Sequence, residues 1–263
     1  MPIYFDNAAT SPLRKEVIES INKVLVETYG NPSSSHSFGR KAKTLIENSR
    51  KIISSVLNVS PQEIIFTSGG TESDNMLLRS AVEDLNIKTI ISTKIEHHAI
   101  LHALDYLEKK DVSIVYLPVD KNGEFKYQDL EKALSFDDSK KLVSLMHVNN
   151  EIGNMIDLEY ISKICQSSKV LLHTDAVQSI GHFKIDLTKI KVDFLSAAAH
   201  KFHGPKGIGF SFVRKNSGLN PFILGGSQER GLRAGTESVH NIVGMSKALE
   251  LAYENLQEES KYI

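Results

Sequence analysis

The chain has 263 residues, of which 41% are hydrophobic and 24% charged, a composition typical of globular proteins that excludes a largely disordered one. Its formal net charge of −1 gives no electrostatic reason to expect direct binding to nucleic acid or to an anionic membrane. The single cysteine excludes an internal disulfide and a cysteine-rich metal site. The sequence shows no signal peptide and no apolar run of membrane-spanning length. We therefore expect a cytoplasmic protein without a membrane partner.

Short β-branched runs alternate with amphipathic stretches along most of the chain. Residues 1–40 differ, because they are rich in turn residues and contain one expected helix; they form an arm or part of a small domain. The expected strands are 63–67, 89–93, 113–117, 142–146, 170–174, 192–196 and 209–213. The expected helices are 13–27, 42–57, 71–85, 97–109, 158–165 and 239–256.

Strands that are apolar on both faces and alternate with helices indicate an α/β fold. Such a fold has a mostly parallel mixed sheet with helices on both faces. No internal repeat or linker interrupts residues 41–263, so we predict one large domain there. Ligands of open α/β sheets bind beyond the carboxyl ends of the strands. The residues that follow each strand are therefore the candidates for a functional site.

The first candidate segment follows the strand at 63–67 and contains two glycines. Gly69 and Gly70 allow a ligand to approach the backbone closely, and Thr71 opens a helix whose first N–H groups suit a phosphate. The segment is neither a GxGxxG fingerprint nor a P-loop. Taken alone, an ordinary helix N-cap after a glycine turn explains it better.

Histidine and asparagine side chains follow the next strands. His97 opens a helix, where it can stack on a ring or transfer protons near neutral pH. Asn150 lies in an Asn-rich segment that is equally typical of a turn. His98 and His102 have an i, i+4 spacing, but no third ligand is apparent, so we expect no metal site.

An aspartate, a glutamine and a lysine follow the later strands. Asp175 ends a buried strand, where a carboxylate is costly unless it is paired, and a cationic ring nitrogen is a suitable partner. Gln178 could reach another polar atom of the same ring. Lys201 follows three alanines, and a desolvated lysine can form a Schiff base. Taken singly, Asp175 is explained as a helix N-cap and Lys201 as a surface lysine. Together with the glycine segment that suits a phosphate, these residues are the groups that pyridoxal phosphate requires.

The sequence closely resembles the cysteine desulfurases, the class V branch of the fold-type I pyridoxal-phosphate enzymes, over essentially its whole length. The matching blocks occur in the family's order: YFDNAATSP, GNPSSSHSFGR, FTSGGTESDN, EHHAIL, HVNNEIG, HTDAVQSIG, HKFHGPKGIG and GGSQERGLRAGTESV. The resemblance implies that residues 41–263 form the cofactor-binding large domain of that fold type. It also implies a homodimer.

The resemblance implies catalytic roles for two residues and ring contacts for two more. Lys201 looks like the lysine that binds the cofactor covalently. His97 is similar to the histidine that stacks on the pyridine ring and assists proton transfer. Asp175 would pair with the ring nitrogen, and Gln178 would bond the 3′ oxygen.

Five further residues would hold the cofactor by the same resemblance. Gly70, Thr71 and His200 would bind its phosphate, and Asn150 would contact the cofactor and the substrate. Thr236 matches a threonine that reaches the phosphate of the partner subunit's cofactor.

The sequence departs from the family's pattern at two places. The family usually has a phosphate-binding serine at the position of Ala198, so one hydroxyl donor is lost here. The family also carries a nucleophilic cysteine and a carboxylate-binding arginine in a C-terminal small domain. We expect that domain to be absent, because the chain stops at Ile263. Cys165 lies on the apolar stripe of a helix, and we do not expect it to be the nucleophile.

The resemblance implies the conversion of L-cysteine to L-alanine, with the sulfur passing to an enzyme cysteine as a persulfide. The acceptor would be a protein such as an iron–sulfur scaffold or a tRNA-thiolation protein. The chain alone is expected to be inactive. Two alternatives stay open: a selenocysteine lyase or other class V lyase, and a non-catalytic cofactor-binding or dimerisation fragment.

Overall fold

The computed structural model describes residues 3–262. Residues 1 and 2 of the expected segment 1–40 and residue 263 of the expected domain 41–263 lie outside the described residues. The strands are β1 (Ile64–Thr67), β2 (Thr89–Thr93), β3 (Ser113–Leu117), β4 (Lys141–Ser144), β5 (Leu171–Asp175), β6 (Phe194–Ala198) and β7 (Gly209–Val213). The helices are α1 (Lys15–Glu27), α2 (Ser37–Leu57), α3 (Gly70–Leu85), α4 (His98–Glu108), α5 (Tyr127–Ser135), α6 (Leu158–Ser167), α7 (Val239–Glu254) and α8 (Leu256–Tyr262).

The strands form one seven-stranded sheet in the order β1-β7-β6-β5-β4-β2-β3. Strand β7 runs antiparallel to both of its neighbours, and the other neighbouring pairs are parallel. The predicted mostly parallel mixed sheet is therefore confirmed. Because β2, β4, β5 and β6 run in the same direction, their carboxyl ends meet at one edge of the sheet.

Apolar side chains cover both faces of the sheet. In β1 and β4, neighbouring residues point to opposite faces, so Ile65 and Leu142 join a buried cluster with α3 and α4. Ile64 and Val143 join a second cluster with α1, α2, α6 and α7. This arrangement confirms the prediction of helices on both faces.

The strands and five of the six predicted helices match the predicted ranges to within two residues at each end, and α2 is the exception. Helix α2 begins at Ser37 rather than at residue 42, after an N-cap in which His36 Nδ1 accepts from the Gly39 amide at 3.4 Å. A Cβ at Gly39 would lie 2.4 Å from the Ser34 carbonyl oxygen, so the first turn of α2 packs closely against the preceding loop. The prediction relied on the spacing of apolar residues, and this glycine-containing turn does not show that spacing. Helices α5 and α8 were not predicted.

The N-terminal segment contacts the main body of the fold at several points. Helix α1 packs along α7, and the Ser11 amide and hydroxyl both donate to the His200 carbonyl, at 2.9 and 2.8 Å. The division of the chain at residue 40 stays a prediction. Across residues 3–262, no helix is both long enough and apolar enough to cross a bilayer.

A buried ion pair joins α2 to the loop before α7. The Arg50 guanidinium donates to both carboxylate oxygens of Glu229, at 2.8 and 2.9 Å, and the Phe66 amide of β1 donates to the same carboxylate at 2.7 Å. Both side chains are almost completely buried, so each charge depends on the other for compensation.

Glu229→Gln should lower the free energy of unfolding by about 3 kcal/mol or more, because it removes the buried, doubly hydrogen-bonded counter-charge of Arg50 and leaves only the partly exposed Glu47 beside the guanidinium. Glutamine keeps the shape of the side chain at a position where the backbone φ is 45°. The control is Glu47→Gln, which removes a partly exposed neighbour of Arg50 and should cost at most about 1 kcal/mol. Urea unfolding at pH 7 measures both, and equal losses would contradict the assignment.

Candidate active site

A cavity opens at the shared carboxyl edge of the sheet. Its lining contains all of the predicted site residues except Thr236. The lining residues are Gly70, Thr71, Asp74, His97, Met146, Asn150, Asp175, Val177, Gln178, Ala198, His200 and Lys201. The chain thus gathers side chains that are far apart in sequence around one space.

The N-terminus of α3 forms one end of the cavity. The first N–H groups of a helix have no acceptor within the helix and favour an anion. A Cβ at Gly70 would lie 2.8 Å from Val177 Cγ2, so the close contact of α3 with the opposite wall requires glycine there. These features make a cradle for a phosphate.

A carboxylate in the first turn of α3 does not cancel this preference for an anion. Although burial opposes ionisation of Glu72, hydrogen bonds from Arg233 and Ser68 lower its pKa. Arg233 Nε donates to Glu72 at 2.7 Å, and the Ser68 amide donates at 2.8 Å. The negative charge of Glu72 is therefore paired with a cation beside the cradle.

Asp175 lies at the carboxyl end of β5, in the floor of the cavity, and is 5% exposed. One oxygen, Oδ1, accepts from the Val177 amide at 2.9 Å. Burial, reinforced by the neighbouring Asp74 carboxyl, raises the pKa of Asp175 to about 7. A cationic ligand group beside it would reverse that shift, so the position suits a protonated ring nitrogen.

Lys201 ends a 3-10 helix, Ala199–Lys201, that follows β6 directly. Its Nζ donates to the carbonyl oxygens of Ala8 and Ala9, the latter at 3.0 Å. Burial lowers the pKa of Lys201 even though Asp175 favours the charged amine. A lysine with a lowered pKa supplies more of the neutral amine that attacks an aldehyde.

Two histidines line the cavity. His97 is the N-cap of α4, and its Nδ1 accepts from the Ala99 amide at 3.1 Å, which leaves Nε2 as the protonated nitrogen of the neutral ring. His200 Nδ1 lies 3.2 Å from Thr10 Oγ1. Burial, together with the charges of Lys201 and Lys206, lowers the pKa of His200. His200 therefore favours the neutral form.

Three predictions concern residues at the margin of the cavity or outside it. Asn150 lines the cavity, but its amide donates to Glu151 Oε1 at 2.6 Å. Thr236 is exposed and does not line the cavity. Cys165 is 1% exposed, lies in α6 outside the lining, and has a pKa raised by burial to about 12.

Two contributions to the site were missed by the sequence reasoning. Asp74 lines the cavity from the second turn of α3, within the block FTSGGTESDN. The Ala8 carbonyl accepts from Gln178 Nε2 at 2.9 Å as well as from Lys201. A polar residue on the buried side of a helix could have signalled Asp74, whereas a backbone carbonyl leaves no signal in a sequence.

Comparisons with known proteins give a consistent family. The profile of the family described as Aminotransferase class-V matches residues 3–261. The chain is 48% identical over 259 residues to the cysteine desulfurase IscS of Dictyoglomus turgidum, covering 98% of this chain and 65% of that protein. It is 43% identical over 262 residues to the putative cysteine desulfurase IscS 1 of Bacillus subtilis, covering 98% of this chain and 68% of that protein.

Solved structures agree with the sequence comparisons. A NifS-like protein superposes with a TM-score of 0.95 at 44% identity, covering 99% of this chain and 72% of that one. A structure described as SspA in complex with cysteine gives a TM-score of 0.90 at 35% identity, covering 98% and 78%. The chain spans 65% of the length of the first curated relatives that it matches.

Gly70→Ala should weaken the binding of pyridoxal phosphate and lower the free energy of unfolding by about 1–3 kcal/mol, because the added Cβ overlaps Val177. The double variant Gly70→Ala/Val177→Ala removes the clashing methyl group and should recover most of both losses. A spectrophotometric titration and urea unfolding measure the two quantities. Failure of the double variant to recover either would show that the contact is not the cause.

Proposed function

The chain belongs to the class V aminotransferase family and, within it, to the cysteine desulfurases, and from this membership we propose that it takes part in converting L-cysteine to L-alanine with transfer of the sulfur. The observation that carries the proposal is the cavity shared by Lys201, Asp175 and the N-terminus of α3. The relative whose structure is described as a complex with cysteine supports the choice of substrate.

Cysteine desulfurases are pyridoxal-phosphate enzymes, and the donor set of the cavity fits that group. The start of α3, at Gly70 and Thr71, with His200 nearby, would hold the phosphate, and Asp175 would hold the ring nitrogen. Gln178 would donate to the 3′ oxygen. When bound, the cofactor supplies an electron sink for the negative charge that develops on the substrate Cα.

The chain's own residues would then handle protons around the substrate. Asp175 keeps a proton on the ring nitrogen, because a buried carboxylate needs a cationic partner. Lys201 Nζ, whose pKa is lowered by burial, can accept the Cα proton once it is free. His97 offers Nε2–H, because the Ala99 amide fixes Nδ1 as an acceptor. Asn150 would help to orient the substrate.

The sulfur needs an acceptor thiol other than Cys165. Cys165 is the chain's single cysteine, it is buried in α6, and burial raises its pKa to about 12. We propose that a cysteine of the family's C-terminal region takes the sulfur as a persulfide. From there the sulfur goes to a protein such as an iron–sulfur scaffold or a tRNA-thiolation protein, in the cytoplasm.

A homodimer is part of the proposal. Thr236 is exposed on the loop before α7, and Arg233 of the same loop is held against the start of α3 by Glu72. In a dimer, Thr236 would reach the phosphate of the partner subunit's cofactor. A hydroxyl supplied in this way would offset the loss of a donor at Ala198.

Borohydride reduction of the cofactor-loaded protein should leave pyridoxyl on the peptide that contains Lys201, because that amine alone combines the cavity position with a lowered pKa. Lys201→Ala should abolish the label, and Lys206→Ala, which changes an exposed lysine nearby, should keep it. Peptide mass spectrometry reads the result. Label on Lys206 in the unaltered chain would overturn the assignment.

Iodoacetamide at pH 8 should alkylate Cys165 at least about a hundredfold more slowly in the folded protein than in urea, because burial disfavours the thiolate. Cys165→Ser should not change the amount of alanine formed from L-cysteine. Rapid labelling in the folded state, or loss of alanine formation in this variant, would make Cys165 the sulfur acceptor. A cofactor-loaded chain that forms no alanine, with or without Cys165, is the result expected if the acceptor thiol belongs to the family's C-terminal region.

A further inference from the structure

A second carboxyl group lies beside Asp175 in the floor of the cavity. Asp175 of β5 pairs in register with Ser196 of β6, and His173 precedes Asp175 by two residues, so it points to the same face of the sheet. Helix α3 packs over that face and carries Asp74. The Ser196 hydroxyl donates to Asp74 Oδ1, and His173 Nε2 lies 3.6 Å from the same oxygen.

Neither Asp74 nor His173 has access to solvent. Asp74 is 1% exposed and His173 is 0% exposed. His173 Nδ1 lies 2.9 Å from Ser144 Oγ, but Nε2 has no hydrogen-bond partner among residues 3–262. An unpartnered polar atom in the interior is costly, and Asp74 needs to approach by only a few tenths of an ångström to provide the partner.

The charges around Asp74 oppose a further negative charge there. Asp175 and Glu96 are buried carboxyl groups whose charges would repel an ionised Asp74. His97 and Lys201 line the same cavity on the side of the ligand. Burial raises the pKa of Asp74 to about 7 and that of Glu96 to about 8. Burial also lowers the pKa of His173 to about 4, so a separate positive charge on His173 is unfavourable too.

We propose that Asp74 and His173 form a buried pair that shares one proton, carries no net charge, and thereby confines the negative charge of the cavity floor to Asp175. Asp74 and His173 are thus positioning residues for Asp175. That Asp175 then directs its negative charge at a ring nitrogen rests on the proposed function. The protonation state of Asp74 and His173 does not rest on the proposed function, because it is a property of the protein without cofactor.

Both positions of the shared proton complete the hydrogen bonds of the pair. With the proton on His173 Nε2, the doubly protonated imidazole donates from Nε2 to the Asp74 carboxylate and from Nδ1 to Ser144. With the proton on Asp74, Nε2 accepts from the carboxyl group and Nδ1–H again donates to Ser144. In either case the Ser196 hydroxyl donates to Asp74 Oδ1. The pair therefore fixes its geometry without placing a second negative charge next to Asp175.

The first test compares the cofactor-free protein with Asp74→Asn, which imitates the neutral carboxyl group. An acid with a raised pKa in the folded state stabilises the fold fully below its unfolded pKa of about 4, and this contribution is lost as the pH rises through the folded value. The free energy of unfolding should therefore fall between about pH 4 and 7, and less steeply in the variant. Asp105→Asn on the exposed face of α4 is the control and should keep the original slope.

Infrared spectroscopy of protein labelled with ¹³C-aspartate detects the protonated carboxyl group directly. At pH 6 the carbonyl band of a protonated aspartate should be present, should decrease in Asp74→Asn, and should be unchanged in Asp105→Asn. An unchanged band in Asp74→Asn, together with an unaltered pH slope, would show an ionised Asp74 and overturn the proposal. Glu96 does not interfere, because its carboxyl group is not labelled.

The second test uses the loaded protein. Asp74→Asn should weaken retention of pyridoxal phosphate by less than about threefold, whereas Asp175→Asn should weaken it by at least about tenfold, because only Asp175 carries the charge that faces the ring. Equal losses would overturn the positioning role even if Asp74 is protonated. Failure of the unaltered chain to bind the cofactor would instead count against the proposed function. The infrared result would still test the protonation of Asp74, because that measurement uses the cofactor-free protein.

Discussion

The cavity depends on a buried carboxyl group, Asp175, that forms no ion pair with any of residues 3–262. Asp175 ends β5, which lies between β4 and β6 in the sheet, and the strand is buried from Leu172 onward. A buried strand cannot turn its last side chain to solvent, so the carboxyl group must point into the space at the sheet edge. Protonation reduces the cost of burying it in the cofactor-free protein, and a cationic ligand group would reduce that cost when the proposed cofactor is bound. A ligand with a cationic group would therefore compensate the buried carboxylate around which the cavity is arranged.

Two other carboxylates on this side of the fold, Glu229 and Glu72, are paired with arginines inside the protein. Glu229 holds Arg50 and the Phe66 amide, and Glu72 holds Arg233. Both pairs involve the loop before α7, where Glu229 has the unusual φ of 45°. The pairs fix this loop against β1 and the start of α3. A polar residue of the loop can therefore be held near the phosphate end of the cavity, although the loop has little regular structure.

The sequence predicts the sheet well because five of its strands, β1, β2, β4, β6 and β7, are buried along their whole length, and β-branched and aromatic runs of that kind are distinctive. Most cavity residues could be predicted because they directly follow strands, where topology alone brings them together. Asp74 was missed, since it belongs to the second turn of α3, where polar residues are also typical of an exposed helix surface. The Ala8 carbonyl could not either, because its role depends on the tertiary path of the N-terminal segment. Helix α5 was missed because its nine residues bury only Leu130 and Leu134, too few to give a periodic pattern.

The opposite pKa shifts of Asp175 and Lys201 have the same main cause, the burial of both groups in the cavity. Each shift favours the neutral form, so the cofactor-free site carries less charge than its sequence suggests. A ligand that brings a cationic ring nitrogen next to Asp175 and an anionic phosphate to the N-terminus of α3 restores that charge in paired form. In the proposed function, binding of the ligand is coupled to ionisation of Asp175, while Lys201 would use its neutral amine for a covalent bond rather than for an ion pair. The same desolvation that makes both charges costly in the cofactor-free protein thus favours a ligand with complementary charges at its two ends.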